Sequence, residues 1–321
     1  MYLSIGRKAI MALFILIFLM GLATPNVLGR NAEPLWGISG EAVDIAISDD
    51  GSVVAIVFYD SIHVYDGQGN LMWYWGGECV SHFSSVDISA NGDVVTASAM
   101  VYDEEYGGRY VILYWGNARD LSGTPGPQWV SNNLYGRIGS EALTLSNNGD
   151  SVLAVGTGPN VFYWNQSLAR GGSGIYPTWT DFQEPWELEY ARMSGNGDFV
   201  VTGGTYNYIA KVYYYANSTL RSGYQHYDLN GTWTFYDSYL EGLDISDDGE
   251  HFVLGLVNNT DREEMDSYVH YYSHGEHVWS SSLPGYSIAN VKISGNGEVV
   301  ATVANSEEGL AVFFYKGSEK G

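Results

Sequence analysis

The chain has 321 residues, with 37 acidic against 14 basic side chains and a formal charge of −23. That imbalance excludes nucleic acid and anionic lipid as partners, since both require a basic face, and leaves cations, basic proteins and neutral glycans. Cys79 is the single cysteine, so no intrachain disulfide can form, and 26 Tyr, 10 Trp and 40 Gly against 8 Pro indicate strands and turns rather than helices.

Residues 1–29 form the first element. Arg7 and Lys8 precede an unbroken apolar run from Ala9 to Ala23, the length of a signal-peptide core and shorter than the about 20 residues of a membrane span. Extension through Leu28 keeps an uncleaved N-terminal anchor open as the alternative. Either reading exports residues 30–318, expected as a single domain in the extracellular space or at the cell surface, with the membrane met only through the N-terminal segment.

Beyond it, "SGNGD" at 194 read alone suggests a phosphate-cradling loop. Its equivalents "SDDGS", "SANGD", "SNNGD", "SDDGE" and "SGNGE" begin at Ser48, Ser89, Ser146, Ser246 and Ser294. A phosphate loop occurs once, between a strand and a helix; a sequence repeated at intervals of 41 to 57 residues between alternating apolar runs is a hairpin turn. Periods of about forty to fifty residues with strands throughout are those of propeller blades. A third strand follows each turn and ends in aromatics ("HVYD", "ILYWG", "VFYWN", "VYYYA", "VHYYS", "VFFYK"). A fourth carries one tryptophan: Trp73, Trp129, Trp179, Trp233 and Trp279. The sixth tryptophan, Trp36, lies ahead of the first turn.

The expected fold is therefore all-β: a six-bladed β-propeller of four-stranded blades starting near residues 41, 84, 140, 188, 240 and 286. An N-terminal strand at about 33–39 completes the last blade, and such closure removes open sheet edges. The turn between first and second strands, with a tryptophan late in each unit, resembles the WD40-like and quinoprotein-like (PQQ-type) propeller repeats of secreted proteins. The resemblance spans nearly the whole exported part and implies architecture alone, because this fold hosts binding modules, scaffolds and enzymes. The Gly-His and Trp-Asp dipeptides of true WD40 repeats are absent, and no residues match a quinone site.

Loops at the end of each blade opposite the repeated turns vary, and they are acidic and aromatic. Tyr102, Asp103, Glu104, Tyr106, Trp186, Tyr239, Asp261, Glu263 and Glu264 are the candidate binding residues there, with carboxylates suited to calcium and aromatic faces to sugar rings. No EF-hand spacing occurs, so no metal ligand is assigned and no cofactor is expected apart from calcium. Two residues before each turn serine stand Ala46, Asp87, Thr144, Arg192, Asp244 and Lys292. WD40-like blades place something small at this position. Since first strands surround the axis, Asp87, Arg192, Asp244 and Lys292 are expected to form a charge ladder in the central channel, either a polar plug or an orienting site for a small polar ligand. Asn165, Asn217, Asn230 and Asn258 head Asn-x-Ser/Thr sequons and are candidate glycan acceptors.

No nucleophile elbow, zinc-protease helix or dinucleotide fingerprint is present. Cys79 and His82 are read on a loop between blades one and two, and "HGEH" at 274–277 as a polar hairpin turn. No catalytic residue is assigned. The composition and repeats point to a binding scaffold for a protein or carbohydrate partner at the cell surface; the alternative is an extracellular hydrolase or lyase with acidic residues at the channel mouth.

Overall fold

Alternating apolar residues on both sides of each Ser-x-Asn/Asp-Gly sequence pair as antiparallel hairpins. The computed structural model describes residues 34–76, 80–103, 107–134, 136–156, 160–182, 187–225, 230–258, 266–307 and 309–317. The chain divides into two units, residues 1–40 and 41–321. Residues 34–40 of the first carry no strand.

Six sheets make up the described part of the second unit. Sheet one is β1 (Asp44–Ile47), β2 (Val53–Val57), β3 (Ser61–Asp66) and β4 (Leu71–Gly76). Sheet two runs β5 (Val80–Ile88), β6 (Val95–Asp103), β7 (Gly107–Trp115) and β8 (Trp129–Ser131). Next come β9 (Leu143–Leu145), β10 (Val152–Val155) and β11 (Asn160–Trp164); after β12 (Gly172–Ile175), β13 (Trp179–Phe182) completes sheet three. Sheet four has β14 (Tyr190–Met193), β15 (Val200–Tyr206), β16 (Ile209–Tyr215) and, past β17 (Gly223–Gln225), β18 (Gly231–Tyr236). Sheet five is β19 (Ser238–Ile245), β20 (His251–Asn258), β21 (Asp266–Ser273) and β22 (Glu276–Pro284), and sheet six is β23 (Ser287–Ile293), β24 (Val299–Ser306) and β25 (Gly309–Lys316). First strands pack in series, β1 on β5, β5 on β9, β9 on β14, β14 on β19 and β19 on β23.

Expectation and structure differ in strand number at three sheets. β12 adds to the outer edge of sheet two, parallel to β8, and β17 adds to sheet three, parallel to β13. Both come from the long connection between the third and fourth strands of the following sheet, so sheets three and four each cover the edge of the sheet before them. Sheet six has three strands among the described residues, and its last strand leaves Leu310, Val312 and Phe314 exposed.

The turns work as the sequence implies. Their glycines take positive φ, from 67° at Gly51 to 79° at Gly197, and the serine hydroxyl accepts an N–H five residues on, as in Val94 to Ser89 at 2.9 Å. The turns also bond to one another through backbone N–H groups: Asp49 to Ala90, Ala90 to Asn147, Asn147 to Gly195, Gly195 to Asp247 and Asp247 to Gly295, all at 2.7–2.9 Å.

Apolar side chains fill the space between neighbouring sheets, and the aromatic repeats lie there. Trp73, Trp115, Trp129, Trp164 and Trp179 are fully buried, each contributing roughly 2–3 kcal/mol of hydrophobic stabilisation. Trp115 and Trp164 donate to carbonyls of their own repeat, Pro125 and Ile175, and the fourth-strand tryptophans use a repeated device. The indole N–H of a fourth strand donates to a carbonyl just beyond the third strand of the next sheet: Trp73 to Ala118 at 2.8 Å, Trp129 to Ser167 at 3.1 Å, Trp179 to Ser218 at 2.9 Å and Trp279 to Gly317 at 3.0 Å. The third-strand tyrosines Tyr114, Tyr163, Tyr214 and Tyr271 donate to the turn-glycine carbonyl of the next sheet.

Candidate functional site

The first strands of successive sheets pack without forming a continuous ladder, so inner-edge N–H groups need other acceptors. Three aspartates supply them. Asp44 accepts from Val86 N–H at 3.0 Å, Asp87 from Leu145 N–H at 2.7 Å and Asp244 from Ile293 N–H at 3.0 Å. Each carboxylate thus ties one first strand to the next.

Arg192 stands on β14 between two of these strands. Its guanidinium donates to the Glu141 carboxylate, to the Glu141 carbonyl at 3.1 Å and to the Ala191 carbonyl at 2.8 Å, and lies 3.6 Å from Asp244 Oδ1. Lys292 Nζ is 3.7 Å from that same oxygen. The charges therefore alternate along the inner strands: Glu141, Arg192, Asp244, Lys292. Asp87 feels Arg192 electrostatically and forms no ion pair with it.

Burial governs the protonation of this group. It pushes Asp44 up to about 7, against the opposing pull of its N–H donors, and the nearby Glu141 adds to the rise. Burial likewise raises Asp87, partly countered by the N–H groups of Leu145 and Ile88. For Arg192 burial works against the charge, but Glu141 and Asp244 outweigh it and hold the guanidinium protonated. The sequence pattern pointed to Arg192, Asp244, Lys292 and Asp87; it missed Asp44 and Glu141. Asp44 lies four residues before its turn serine, where the other repeats carry unlike residues; Glu141 lies five before, where Glu189 and Glu241 recur in the next two repeats, so a signal for it was present in the sequence.

A second arrangement lies at the opposite end of the sheets from the repeated turns. Tyr59, Tyr102, Tyr206, Tyr208 and Tyr236 are exposed there, on connections between second and third strands or at the ends of fourth strands. Asn207 and Tyr208 turn β15 into β16 with φ of 49° and 63°, the two-residue geometry usually given to Asn-Gly. A tyrosine held at positive φ is strained. Tyr208 packs edge-on against Tyr239, with ring centroids 5.5 Å apart. Asp103 ends β6, its side chain outside the described residues, as are Glu104, Tyr106, Trp186, Asp261, Glu263, Glu264 and Cys79. His82 lies within β5 rather than on a loop, stacked on Tyr59 at 5.7 Å; bulges in β5 lengthen that strand beyond its alternating core.

Among the sequons, Asn165 has its amide committed on both sides, donating to the Thr219 carbonyl at 2.9 Å and accepting from Thr178 Oγ1 at 2.9 Å. Asn217 is exposed at φ 55° as the residue before a short 3-10 turn. Exposed Asn230 accepts from Ala216 N–H and Arg221, and Asn258, at the end of β20, accepts from Ser238 Oγ. Asn117, Gln166 and Asn217 occupy the same left-handed position in successive sheets. The Asn217 sequon therefore coincides with a structural motif of the repeat.

Solved structures of similar fold include hydrazine synthase from Kuenenia stuttgartiensis, 10% identical with a TM-score of 0.56 over 88% of this chain and 80% of that one. The WD40 repeats of RRP9 are 15% identical with a TM-score of 0.55, covering 88% and 78% of the two chains. U3-55K is 15% identical with a TM-score of 0.56, covering 88% and 79%. No protein-family model and no curated protein matches the sequence. At these identities the likeness concerns the fold, which is that of a WD40-like β-propeller.

Proposed function

We propose that this chain is an exported six-bladed propeller that acts as a binding scaffold for a protein partner, captured on the loop end of its blades. The carrying observation is a contrast in tyrosine placement: at the turn end Tyr114, Tyr163, Tyr214 and Tyr271 bury their hydroxyls on carbonyls and Tyr176 is the strongly exposed tyrosine among the described residues, whereas at the loop end Tyr59, Tyr102, Tyr206, Tyr208 and Tyr236 face solvent. Exposed tyrosines on a rigid scaffold supply large contact area at small entropic cost. The net charge of −23 favours a basic partner. Asn217 and Asn230, the sequons best placed to carry glycan, lie on third-to-fourth-strand connections and would leave the loop end clear. The hydrolase or lyase reading is less well supported, because the axial carboxylates are engaged by backbone N–H groups and by Arg192.

Closure belongs to the same proposal. The fourth-strand tryptophans Trp73, Trp129, Trp179 and Trp279 each bond the next repeat, β25 leaves apolar side chains exposed, and we infer that the segment around Trp36 completes blade six. Trp36→Ala is expected to lower the urea midpoint by the equivalent of about 2 kcal/mol, and Leu35→Ala to leave it in place; equal, small effects would count against closure. For the partner, a photo-crosslinking amino acid at position 236 on the surface of producing cells should yield discrete protein adducts that are absent when the probe stands at Leu220, exposed at the turn end. Equal yields at both positions, or carbohydrate adducts alone, would overturn the reading.

A further inference from the structure

The turn of sheet five departs from its five counterparts. Five residues after the turn serine stand Val53, Val94, Ser151, Phe199, His251 and Val299, and in the first five repeats this side chain packs under the turn glycine of the next sheet. Only blade five puts an imidazole there. Asp248, Glu250 and His251 each offer a ligand atom within 4.8 Å of the others.

Hydrogen bonding around His251 sets its tautomer. Its Nδ1 is 2.8 Å from the Tyr271 hydroxyl, which is 3.1 Å from the Gly297 carbonyl. A carbonyl only accepts and the tyrosine has one proton to give. With both bonds made, Tyr271 donates to Gly297 and accepts from Nδ1–H, leaving Nε2 as a bare lone pair. A ring oriented through its second nitrogen by an outer partner is the arrangement found behind metal-ligating histidines. The ring is also stacked on Tyr271, with centroids 5.6 Å apart.

A second imidazole reaches the same place from the hairpin joining β21 to β22. His274 Nε2 lies 3.6 Å from Glu250 Oε2, and its ring centroid is 6.0 Å from that of His251. Asp248 commits Oδ1 to the turn, accepting from Ser246 Oγ and Glu250 N–H. Two imidazoles with two carboxylates suit zinc, whereas calcium and magnesium take oxygen donors.

We propose that the turn of blade five binds a zinc ion through His251 Nε2, His274 and the carboxylates of Glu250 and Asp248. The test is calorimetric titration of the chelator-treated full chain with zinc chloride, with cobalt absorption spectra reporting the ligand set. One saturable equivalent is expected, with no heat from calcium chloride. His251→Ala and His274→Asn should each weaken binding at least tenfold, and Tyr271→Phe, which cuts the relay, by about tenfold. His274→Asn sits in an exposed hairpin at φ 50°, which asparagine tolerates, so it remains informative if His251→Ala fails to fold. Absence of saturable zinc binding would overturn the proposal, as would undiminished binding in His274→Asn. So would loss of binding in His277→Ala, which would assign the metal to the neighbouring His270–His277 pair, whose ring nitrogens are 3.3 Å apart.

Discussion

The two ends of each sheet are built on opposite principles. At the turn end, six near-identical sequences join through a chain of backbone hydrogen bonds, and tyrosine and tryptophan donors cross to the next sheet at every step from sheet two to sheet four. At the loop end, the connections differ in length and composition, and the tyrosines present their rings to solvent. Repetition collects where neighbouring sheets must satisfy one another's polar groups. Where no such demand exists, residues vary, and binding becomes available there.

Four substitutions would break or sharpen this contrast. The largest effect is expected on the inner strands that join the two ends. Arg192→Ala leaves Glu141 and Asp244 without their shared cation and should cost about 3 kcal/mol in urea unfolding, toward the lower bound for a broken buried pair. A loss under about 0.5 kcal/mol would mean that the ion pairs hold nothing in register. Asp44→Asn tests the same region through pH. In the folded state Asp44 keeps its proton up to about 7, against an ordinary value of 3.8, so the folded chain binds more protons than the unfolded one between those values. Its contribution is present below pH 3.8 and is lost as pH rises through 7. The asparagine variant should therefore gain on the native chain by at most about 1.4 kcal/mol per pH unit across that window; parallel stability curves would show that Asp44 titrates normally.

The two ends themselves call for reciprocal changes. Gly249 has φ +76°, and an added Cβ would fall 2.3 Å from the Phe199 ring of the preceding sheet. Gly249→Ala should thus cost about 1–2 kcal/mol, read as a lowered melting temperature. Tyr208→Gly does the opposite at the loop end: it relieves a strained left-handed tyrosine and should leave stability unchanged or raise it by up to about 1 kcal/mol, while weakening partner capture by about tenfold. A marked loss of stability would show that Tyr208 serves packing against Tyr239 instead.

The turns, the order of strands within each sheet and the tryptophan strands were legible because each depends on local rules: a positive-φ glycine, a serine hydroxyl within reach of the backbone, and apolar alternation. Arg192 could be found because it breaks a pattern. The added strands β12 and β17 were not legible, since they come from connections with no apolar alternation and pair with a sheet other than their own; the sole hint is that the third-to-fourth-strand connections of sheets two to four are much longer than those of one and five. His82 was misplaced because bulges extend β5 beyond its apolar core.

What the residues determined alone is a chain of repeated hairpins, their period and the charges set at the inner position of the first strands, because neighbours along the chain enforce them. Which charges meet was decided by tertiary structure. Asp244 pairs with Arg192 and Lys292, Arg192 takes Glu141 as its second partner, and Asp44 and Asp87 bond backbone N–H groups. That choice rests on the separation of inner strands belonging to different sheets, a distance set by aromatic packing between sheets and carried by no local pattern.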